Sequence, residues 1–296
     1  MAHAAARFDG GIIASVKIAD ETLRLLERAL GGRHAPRVRA LHLPPAPWNG
    51  TREGEFGAIE LDDGSLGLSF VLLQGTLASL AGGPGAGRPG ANLVGADALD
   101  VARHWAGPDG ALRTIGFAAV NALTAHLYRR AGFAPPVAAD SIGGLAPQAG
   151  EHIGMIGYFP PLVKRVTDCG ARLTVLELRG DLAGPRDGFH ITLDARELET
   201  CDKVLSTSTV LLNDTLDDVL AHCARAKAFA MVGPGAGCLP DALFARGVTI
   251  VGGAWIERPD AFKAALASGA PWGPHVRKFA LARTDYPGID ALCDAR

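Results

Sequence analysis

The chain has 296 residues, of which 48% are hydrophobic and 20% charged, and its formal net charge at pH 7 is −2. This balance argues against broad disorder and against a nucleic-acid-binding surface, while the length allows two domains of ordinary size. The opening residues, MAHAAARFDGG, lack a basic region followed by an apolar one, and no apolar run approaches the length of a bilayer span. We therefore expect a soluble, cytoplasmic protein without a nucleic-acid or membrane partner.

The first elements predict a helix followed by a small antiparallel sheet. Apolar residues recur at helical spacing over 18–29, and two glycines then end the helix. A strand is predicted at 38–43. Two further strands at 55–61 and 65–73 flank the turn Asp62-Asp63-Gly64, which is typical of a β-hairpin.

The glycine- and proline-rich segment at 81–92 has no helical or strand period, so we expect a mobile loop. A solvated loop is the simpler interpretation, and a lid with Arg88 as its charge is the other. Asp97 is a suitable N-cap for the following helix, and another helix is predicted over 112–130. Asn121 lies within that helix, and its spacing alone predicts an exposed side chain rather than one that reaches a site shared by two domains.

Residues 135–150 carry the proline, glycine and small polar residues of an interdomain linker. This places the boundary near residue 145 and gives two domains, 1–145 and 146–296. A single continuous sheet through both halves would contradict that division.

The second half alternates apolar strands with helices, which predicts a mostly parallel sheet with helices on its faces and ligands at the carboxyl ends of the strands. The strands are expected at 153–156, 173–176, 203–206, 228–232 and 248–251.

Four loops follow these strands and are expected to converge on that edge. They are Gly157 to Phe159, Glu177 to Asp181, Ser206 to Thr209 with Asn213 to Thr215, and Gly233 to Cys238. Each residue alone has an ordinary structural explanation, but the cluster favours a binding site. In particular, the first and fourth loops should line one cleft, because both directly follow strong strand candidates.

The sequence argues against the usual binding motifs for NAD and ATP. Glu177 follows Gly157 by twenty positions, the distance of a ribose-binding acid in a dinucleotide fold, but GxGxxG is absent from both glycine segments. The fourth loop also lacks the Lys-Ser/Thr pair of a phosphate-binding P-loop.

The runs GMIGYFPPLVKRV, TVLELRGD, CDKVLSTSTVLLNDTLDDVL and VGPGAGCLPDALFARGVTIVGG resemble the DUF364 family, the "putative heavy-metal chelation" domain. The runs DGSLGLSFVLL and TIGFAAVNAL are similar to the DUF4213 domain that accompanies it. The resemblance implies an α/β protein, with an enolase N-terminal-like α+β domain at 1–145 followed by a Rossmann-like domain with a mostly parallel sheet at 146–296.

The resemblance also implies a ligand cleft between the two domains. Its pattern falls on Asn121, Gly157, Tyr158, Phe159, Glu177, Thr209, Asn213, Thr215, Gly233 and Pro234, and we add Gly235 from the fourth loop. The pattern makes it more plausible that Asn121 faces the cleft. Two features depart from it: the long loop at 81–92 and Cys238.

Two functions of different classes remain open. The first is a heavy-metal or metal-chelate binding protein whose ligands are Cys238, Glu177 and Asp181, with His152 or His190 as further candidates for a transition metal. The second is an enzyme or binding protein for a small anionic or nucleotide-like metabolite held by the four loops. A scaffold with a vestigial site has no positive support. The catalytic residues, if any, and the oligomeric state stay open, with a homodimer as one alternative.

The five cysteines are scattered, odd in number and without a CxxC pair, so neither a disulfide framework nor a zinc knuckle is expected. Cys238 is the residue that best distinguishes the two functions, because only the metal-binding function uses it as a ligand. It directly precedes Leu239-Pro240, a position that suits a helix N-terminus facing the cleft, where the pKa of a thiol is lowered. The alternative is a small buried side chain that fills the turn, which is the commoner case for a lone cysteine.

Overall fold

The computed structural model describes residues 17–32, 34–51, 53–82, 92–140 and 142–295. Most of the glycine-rich segment, including Arg88, lies outside the described residues, so the choice between a solvated loop and a lid stays a prediction. Among the helices of the described part, none is both long and apolar enough to cross a membrane.

The first half contains the expected antiparallel sheet. Its strands are β1 (Val38–His42), β2 (Phe56–Leu61) and β3 (Leu66–Phe70), in the order β1-β2-β3. The hairpin between β2 and β3 is confirmed, with Phe56 opposite Phe70 and Glu60 opposite Leu66. Every residue of β2 is buried, because one face of the sheet meets helices of the first half and the other meets a helix of the second.

The helices of this half are α1 (Ile18–Leu30), α2 (Thr76–Leu80), α3 (Ala98–Arg103) and α4 (Gly110–Arg130). The cap at Asp97 is confirmed, since its carboxylate accepts hydrogen bonds from the N–H groups of Leu99 and Asp100. Helix α4 packs closely on β3, and Gly67 makes this approach possible: a Cβ at that position would lie 2.1 Å from the Ala122 nitrogen.

The hairpin turn is tied to α4 through Asp63. Its carboxylate accepts hydrogen bonds from His126 Nδ1 at 2.7 Å and from the N–H and hydroxyl of Ser65, both at 2.9 Å. Partial burial by itself would raise the pKa of Asp63, but these hydrogen bonds prevail and lower the pKa from its ordinary 3.8 to about 2.

We expect Asp63→Asn to lower the free energy of unfolding by about 1 kcal/mol at neutral pH, after allowance for solvent screening of this partly exposed carboxylate. Because the pKa is depressed in the folded state, the contribution is complete above pH 4 and is lost as the pH falls toward 2. Urea denaturation at several pH values measures it. Asp62→Asn, in the same turn, is the matched control, and a deficit for Asp63→Asn that persists unchanged at pH 2 would contradict this account.

The second half forms an eight-stranded sheet in the order β11-β10-β9-β8-β4-β5-β7-β6. Its strands are β4 (His152–Ile156), β5 (Arg172–Leu176), β6 (Gly184–Arg186), β7 (Phe189–Thr192), β8 (Lys203–Thr207), β9 (Ala228–Val232), β10 (Ile250–Ile256) and β11 (Val276–Ala282). The six inner strands are parallel, and the edge strands β6 and β11 are antiparallel to their neighbours. The expectation of a mostly parallel sheet is confirmed.

The helices of the second half are α5 (Pro160–Thr167), α6 (Leu216–Ala221), α7 (Asp241–Ala245), α8 (Pro259–Ser268) and α9 (Ile289–Asp294). All five expected strands are present, although β10 begins at Ile250 and runs on to Ile256. Strands β6, β7 and β11 were not predicted. Strand β6 has only three residues, and its sequence pattern does not indicate a strand because Pro185 lies within it.

The two sheets share no strand, but the two halves of the chain pack against each other through a common apolar core. One continuous apolar cluster contains Leu26 and Phe117 of the first half together with Met231 and Phe279 of the second. A different cluster, on the other face of the large sheet, packs α5 and residue Ile142 against β4. The boundary near residue 145 stays a prediction.

Candidate functional site

The four predicted loops leave the same edge of the large sheet. Strands β4, β5, β8 and β9 are parallel neighbours and end at Ile156, Leu176, Thr207 and Val232. Gly157 and Gly233, which begin the first and fourth loops, therefore lie at the same end of the sheet. Both have a positive φ, of 83° and 153°, that favours glycine.

A pocket with a volume of about 570 Å³ lies beside the first and fourth loops. Phe159 of the first loop and Gly233 and Pro234 of the fourth line it, so these two loops do border one cavity. Phe56 of the N-terminal sheet and Trp272, which follows α8, complete the wall. The pocket thus combines residues from both halves.

The floor of the pocket is formed by residues of β9, β10 and β11 that share one face of the sheet. Gly252 lies beside Val232 in the parallel ladder between β9 and β10, and Ala254 lies opposite Lys278 in the antiparallel ladder between β10 and β11. Paired residues in a ladder point to the same face, and residues two apart share it. Val232, Gly252, Ala254 and Lys278 therefore face the pocket together.

The charged lining residues are two cations and one carboxylate. Arg165 comes from α5, Lys278 from β11, and Asp140 from the segment that precedes β4. The Asp140 carboxylate already accepts hydrogen bonds from the N–H groups of Ile142 at 3.0 Å and Gly144 at 2.8 Å. The lining has a net positive charge and suits an anionic ligand.

Glu177 does not line the pocket but holds two loops together. One carboxylate oxygen accepts a hydrogen bond from the Tyr158 N–H at 3.0 Å, and the other accepts from Leu178 at 2.7 Å and Arg179 at 3.3 Å. Carboxylates bonded to several backbone N–H groups stabilise turns. Glu177 therefore fixes the first loop, which carries Phe159, against the second.

The third loop satisfies its own polar groups. The Thr207 hydroxyl donates to Thr209 Oγ1 at 2.9 Å, and the Thr215 hydroxyl donates to Asn213 Oδ1 at 2.7 Å. Thr209, Asn213 and Thr215 are absent from the lining of the 570 Å³ pocket, as are Gly157, Tyr158 and Gly235. Their assignment as ligand-binding residues stays a prediction.

The expectation that Asn121 is exposed is wrong. Its side chain is 4% exposed, and its amide donates hydrogen bonds to the carbonyl oxygens of Leu68 at 2.6 Å and Gly235 at 2.8 Å. The helical spacing did not reveal this because α4 is buried on nearly all sides over this stretch. Asn121 links β3 of the first half to the fourth loop of the second.

Of the two interpretations of Cys238, the small buried side chain is confirmed, and the thiolate facing the cleft is wrong. Cys238 is 3% exposed and belongs to the main apolar cluster. Burial raises the pKa of its thiol to about 12, so the group is neutral at physiological pH. Helix α7 begins only at Asp241, three residues later, and its positive end does not offset the loss of solvent.

The three expected metal ligands are not assembled. Cys238 is buried, Glu177 is bonded to backbone N–H groups, and Asp181 forms an exposed ion pair with Arg179. Within the described ranges, no group of three or more His, Cys, Asp or Glu could hold a metal ion. The described residues therefore do not fit a bare heavy-metal ion, which needs several converging donors.

The two candidate histidines are engaged elsewhere. His152 Nε2 contacts the Thr174 hydroxyl at 2.8 Å, and its Nδ1 accepts a hydrogen bond from Arg172 at 2.7 Å. Burial, with the Arg172 charge as a second cause, lowers the pKa of His152. His190 pairs with Glu197.

Models of two known protein families match this chain, one over the part with the small sheet and the other over the part with the large sheet. A model of the DUF4213 family matches residues 55–124, and a model of the DUF364 family matches residues 143–284, both described as "Putative heavy-metal chelation". The chain belongs to the DUF364 family. In this DUF364 protein, the pocket takes Phe56 from the DUF4213 segment and Phe159, Arg165, Trp272 and Lys278 from the DUF364 segment.

Two solved structures of the family share the fold. A DUF364 protein of unknown function from Desulfitobacterium hafniense DCB-2 is 19% identical, with a TM-score of 0.64 over 89% of this chain and 99% of that one. A second, from Pyrococcus horikoshii, is 18% identical, with a TM-score of 0.60 over 90% and 98%. No curated protein matches this DUF364 chain. At these identities the likeness establishes the fold alone.

Proposed function

We propose that this protein binds a small organic anion in the 570 Å³ pocket, and that a metal ion, where one takes part, arrives already chelated by that anion. The observation that carries the proposal is the pocket lining: Arg165 and Lys278 supply positive charge, while apolar and aromatic groups supply most of the remaining surface. This composition is typical of sites for small organic ligands.

The family description supports a role for metal, and the side chains indicate in what form. A protein that binds a bare transition metal supplies several thiolate, imidazole or carboxylate donors at one point. The described residues contain no such group. A chelate needs no donors from the protein, because the organic molecule already provides them, and its carboxylates can pair with lysine and arginine.

A nucleotide-like ligand is the second candidate and has less support. The N–H groups at a βα turn would cradle its phosphates. In the first loop, the Tyr158 N–H is already bonded to Glu177, as are those of Leu178 and Arg179 in the second loop. We also propose that the ligand lies between domains 1–145 and 146–296.

The test is isothermal titration with three probes: citrate, pyridine-2,6-dicarboxylate and Ni²⁺ alone. We expect at least one of the two chelators to bind one-to-one and Ni²⁺ alone not to bind. Lys278→Gln should weaken chelator binding by about three- to tenfold, since a partly exposed charge pair contributes roughly 1 kcal/mol. Ala254→Phe should abolish it, because the added ring fills space above the floor.

Lys164→Gln is the matched control. Lys164 lies next to Arg165 on α5, is 81% exposed, pairs with Asp168 and does not line the pocket. Thermal unfolding of each variant establishes that the fold is intact, and Gly252→Val replaces Ala254→Phe if the latter is unstable. Failure of both chelators to bind, or binding of Ni²⁺ alone that the pocket variants leave unchanged, would overturn the proposal.

A further inference from the structure

We infer that the preferred ligand class is a flat aromatic ring that carries two carboxylates. This inference rests on the proposed function and narrows it: an aliphatic anion of the same charge should bind more weakly. It follows from three features of the pocket, namely its floor, its walls and the placement of its cations.

Part of the floor consists of residues with little or no side chain, which lets a ligand approach the backbone of the sheet closely. Gly252 and Ala254 expose almost no side chain above the sheet, and a Cβ added at Gly252 would already lie 3.2 Å from Val232 Cγ1. Gly143, at the side of the floor, also lacks a Cβ, and one there would lie 3.3 Å from the same methyl group. A flat ring can lie against such a surface with close contact over its whole face.

The walls are aromatic on two sides. Phe159 borders the pocket from the first loop, and Phe56 and Trp272 border it from the other side. The rings of Phe56 and Trp272 meet edge to face, with centroids 6.0 Å apart, and both residues are 6% exposed, so this wall is fixed. Aromatic rings attract another ring by edge-to-face and offset contacts that a saturated ring does not make.

The cations are carried by different elements of the fold. Arg165 lies on α5 and Lys278 on β11, and both line the same pocket. A ring with carboxylates at two separated positions can meet both cations at once, whereas a monocarboxylate meets one. Asp140 adds one negative charge to the same lining, and its Oδ1 accepts the hydrogen bonds from the N–H groups of Ile142 and Gly144.

The experiment compares three probes of nearly equal size by isothermal titration: benzene-1,3-dicarboxylate, cis-cyclohexane-1,3-dicarboxylate and benzene-1,3-dicarboxamide. We expect the aromatic dicarboxylate to bind at least about tenfold more tightly than either of the others. Lys278→Gln should weaken binding of the aromatic dicarboxylate by about three- to tenfold and leave the affinity for the amide unchanged. Phe159→Leu should reduce the preference for the flat ring while leaving affinity for the cyclohexane compound within about twofold.

The outcomes separate this inference from the proposed function. If citrate or the cyclohexane compound binds as tightly as the aromatic dicarboxylate, and Lys278→Gln weakens all of them, the aromatic class is wrong while the anion site stands. If none of the carboxylates binds to folded protein, both are wrong. Equal binding of the neutral amide and the dicarboxylate overturns the role given to the two cations.

Discussion

Gly67→Ala should destabilise the protein by roughly 3 kcal/mol or more, or prevent it from folding. The new Cβ would lie 2.1 Å from the Ala122 nitrogen and 2.3 Å from the Ala118 carbonyl oxygen. Both are backbone atoms of α4, so no side-chain rotation relieves the clash. The helix would have to move away from β3, and the buried apolar contacts between them would loosen.

Thermal or urea-induced unfolding measures this effect. Gly273→Ala is the matched control, since nothing lies within 4 Å of a Cβ at that position. We expect Gly273→Ala to stay within about 0.5 kcal/mol of the wild-type chain. A Gly67→Ala variant as stable as that control would mean that α4 and β3 do not pack as described.

Asn121→Leu should cost roughly 2–4 kcal/mol, because the change leaves the carbonyl groups of Leu68 and Gly235 without the amide that pairs with them. Both hydrogen bonds are buried, and they connect residues 53 and 114 positions away along the chain. Leucine has the same number of non-hydrogen side-chain atoms as asparagine, but a methyl group cannot approach the two carbonyl oxygens as closely as the amide does, so the cost includes a local shift in packing. The fourth loop would also lose its attachment to the first half.

Denaturant unfolding gives the cost, with Thr124→Val as the control. Thr124 lies one turn further along α4 and is fully buried, but its hydroxyl bonds only to the Val120 carbonyl within the helix. We expect that variant to lose about 1 kcal/mol or less. If Asn121→Leu is no more costly than Thr124→Val, the bridge between β3 and the fourth loop does not stabilise the fold.

The parallel sheet could be predicted because its inner strands are continuous apolar runs with glycine turns after them. His152–Ile156 and Ala228–Val232 are examples, and both are strands in the structure. Strand β11 was missed because Arg277 and Lys278 interrupt its apolar run and only two of its seven residues are buried, as its place at the edge of the sheet allows. Edge strands are only partly buried and lack a continuous apolar pattern.

The candidate site could be predicted only where it follows strand ends. Phe159, Gly233 and Pro234 directly follow β4 and β9, so the order of elements was enough to bring them together. Phe56, Trp272 and Lys278 reach the pocket through long-range packing, which no local pattern indicates. Arg165 lies five residues after Pro160, where α5 begins, and the sequence does not distinguish which side of this helix faces the pocket.

Cys238 illustrates the limit of local reasoning about charge. Its sequence neighbours suggest a helix N-terminus and an activated thiol, but the pKa depends on how much water reaches the sulfur. Desolvation prevails because the first-half helices cover this face of the sheet. Asn121 is buried for the same reason, because it lies on α4 where this helix packs against the fourth loop, and its small apolar neighbours in sequence do not indicate that contact.

Equilibrium dialysis against Ni²⁺, with and without an equimolar amount of pyridine-2,6-dicarboxylate, tests most directly whether this protein binds a chelate rather than a metal ion. After dialysis, elemental analysis gives the nickel retained per chain. The account predicts nickel above background only when the chelator is present, and its loss in Ala254→Phe, which blocks the pocket. Retention of nickel without chelator, at one ion per folded chain and unchanged in Ala254→Phe, would contradict the account.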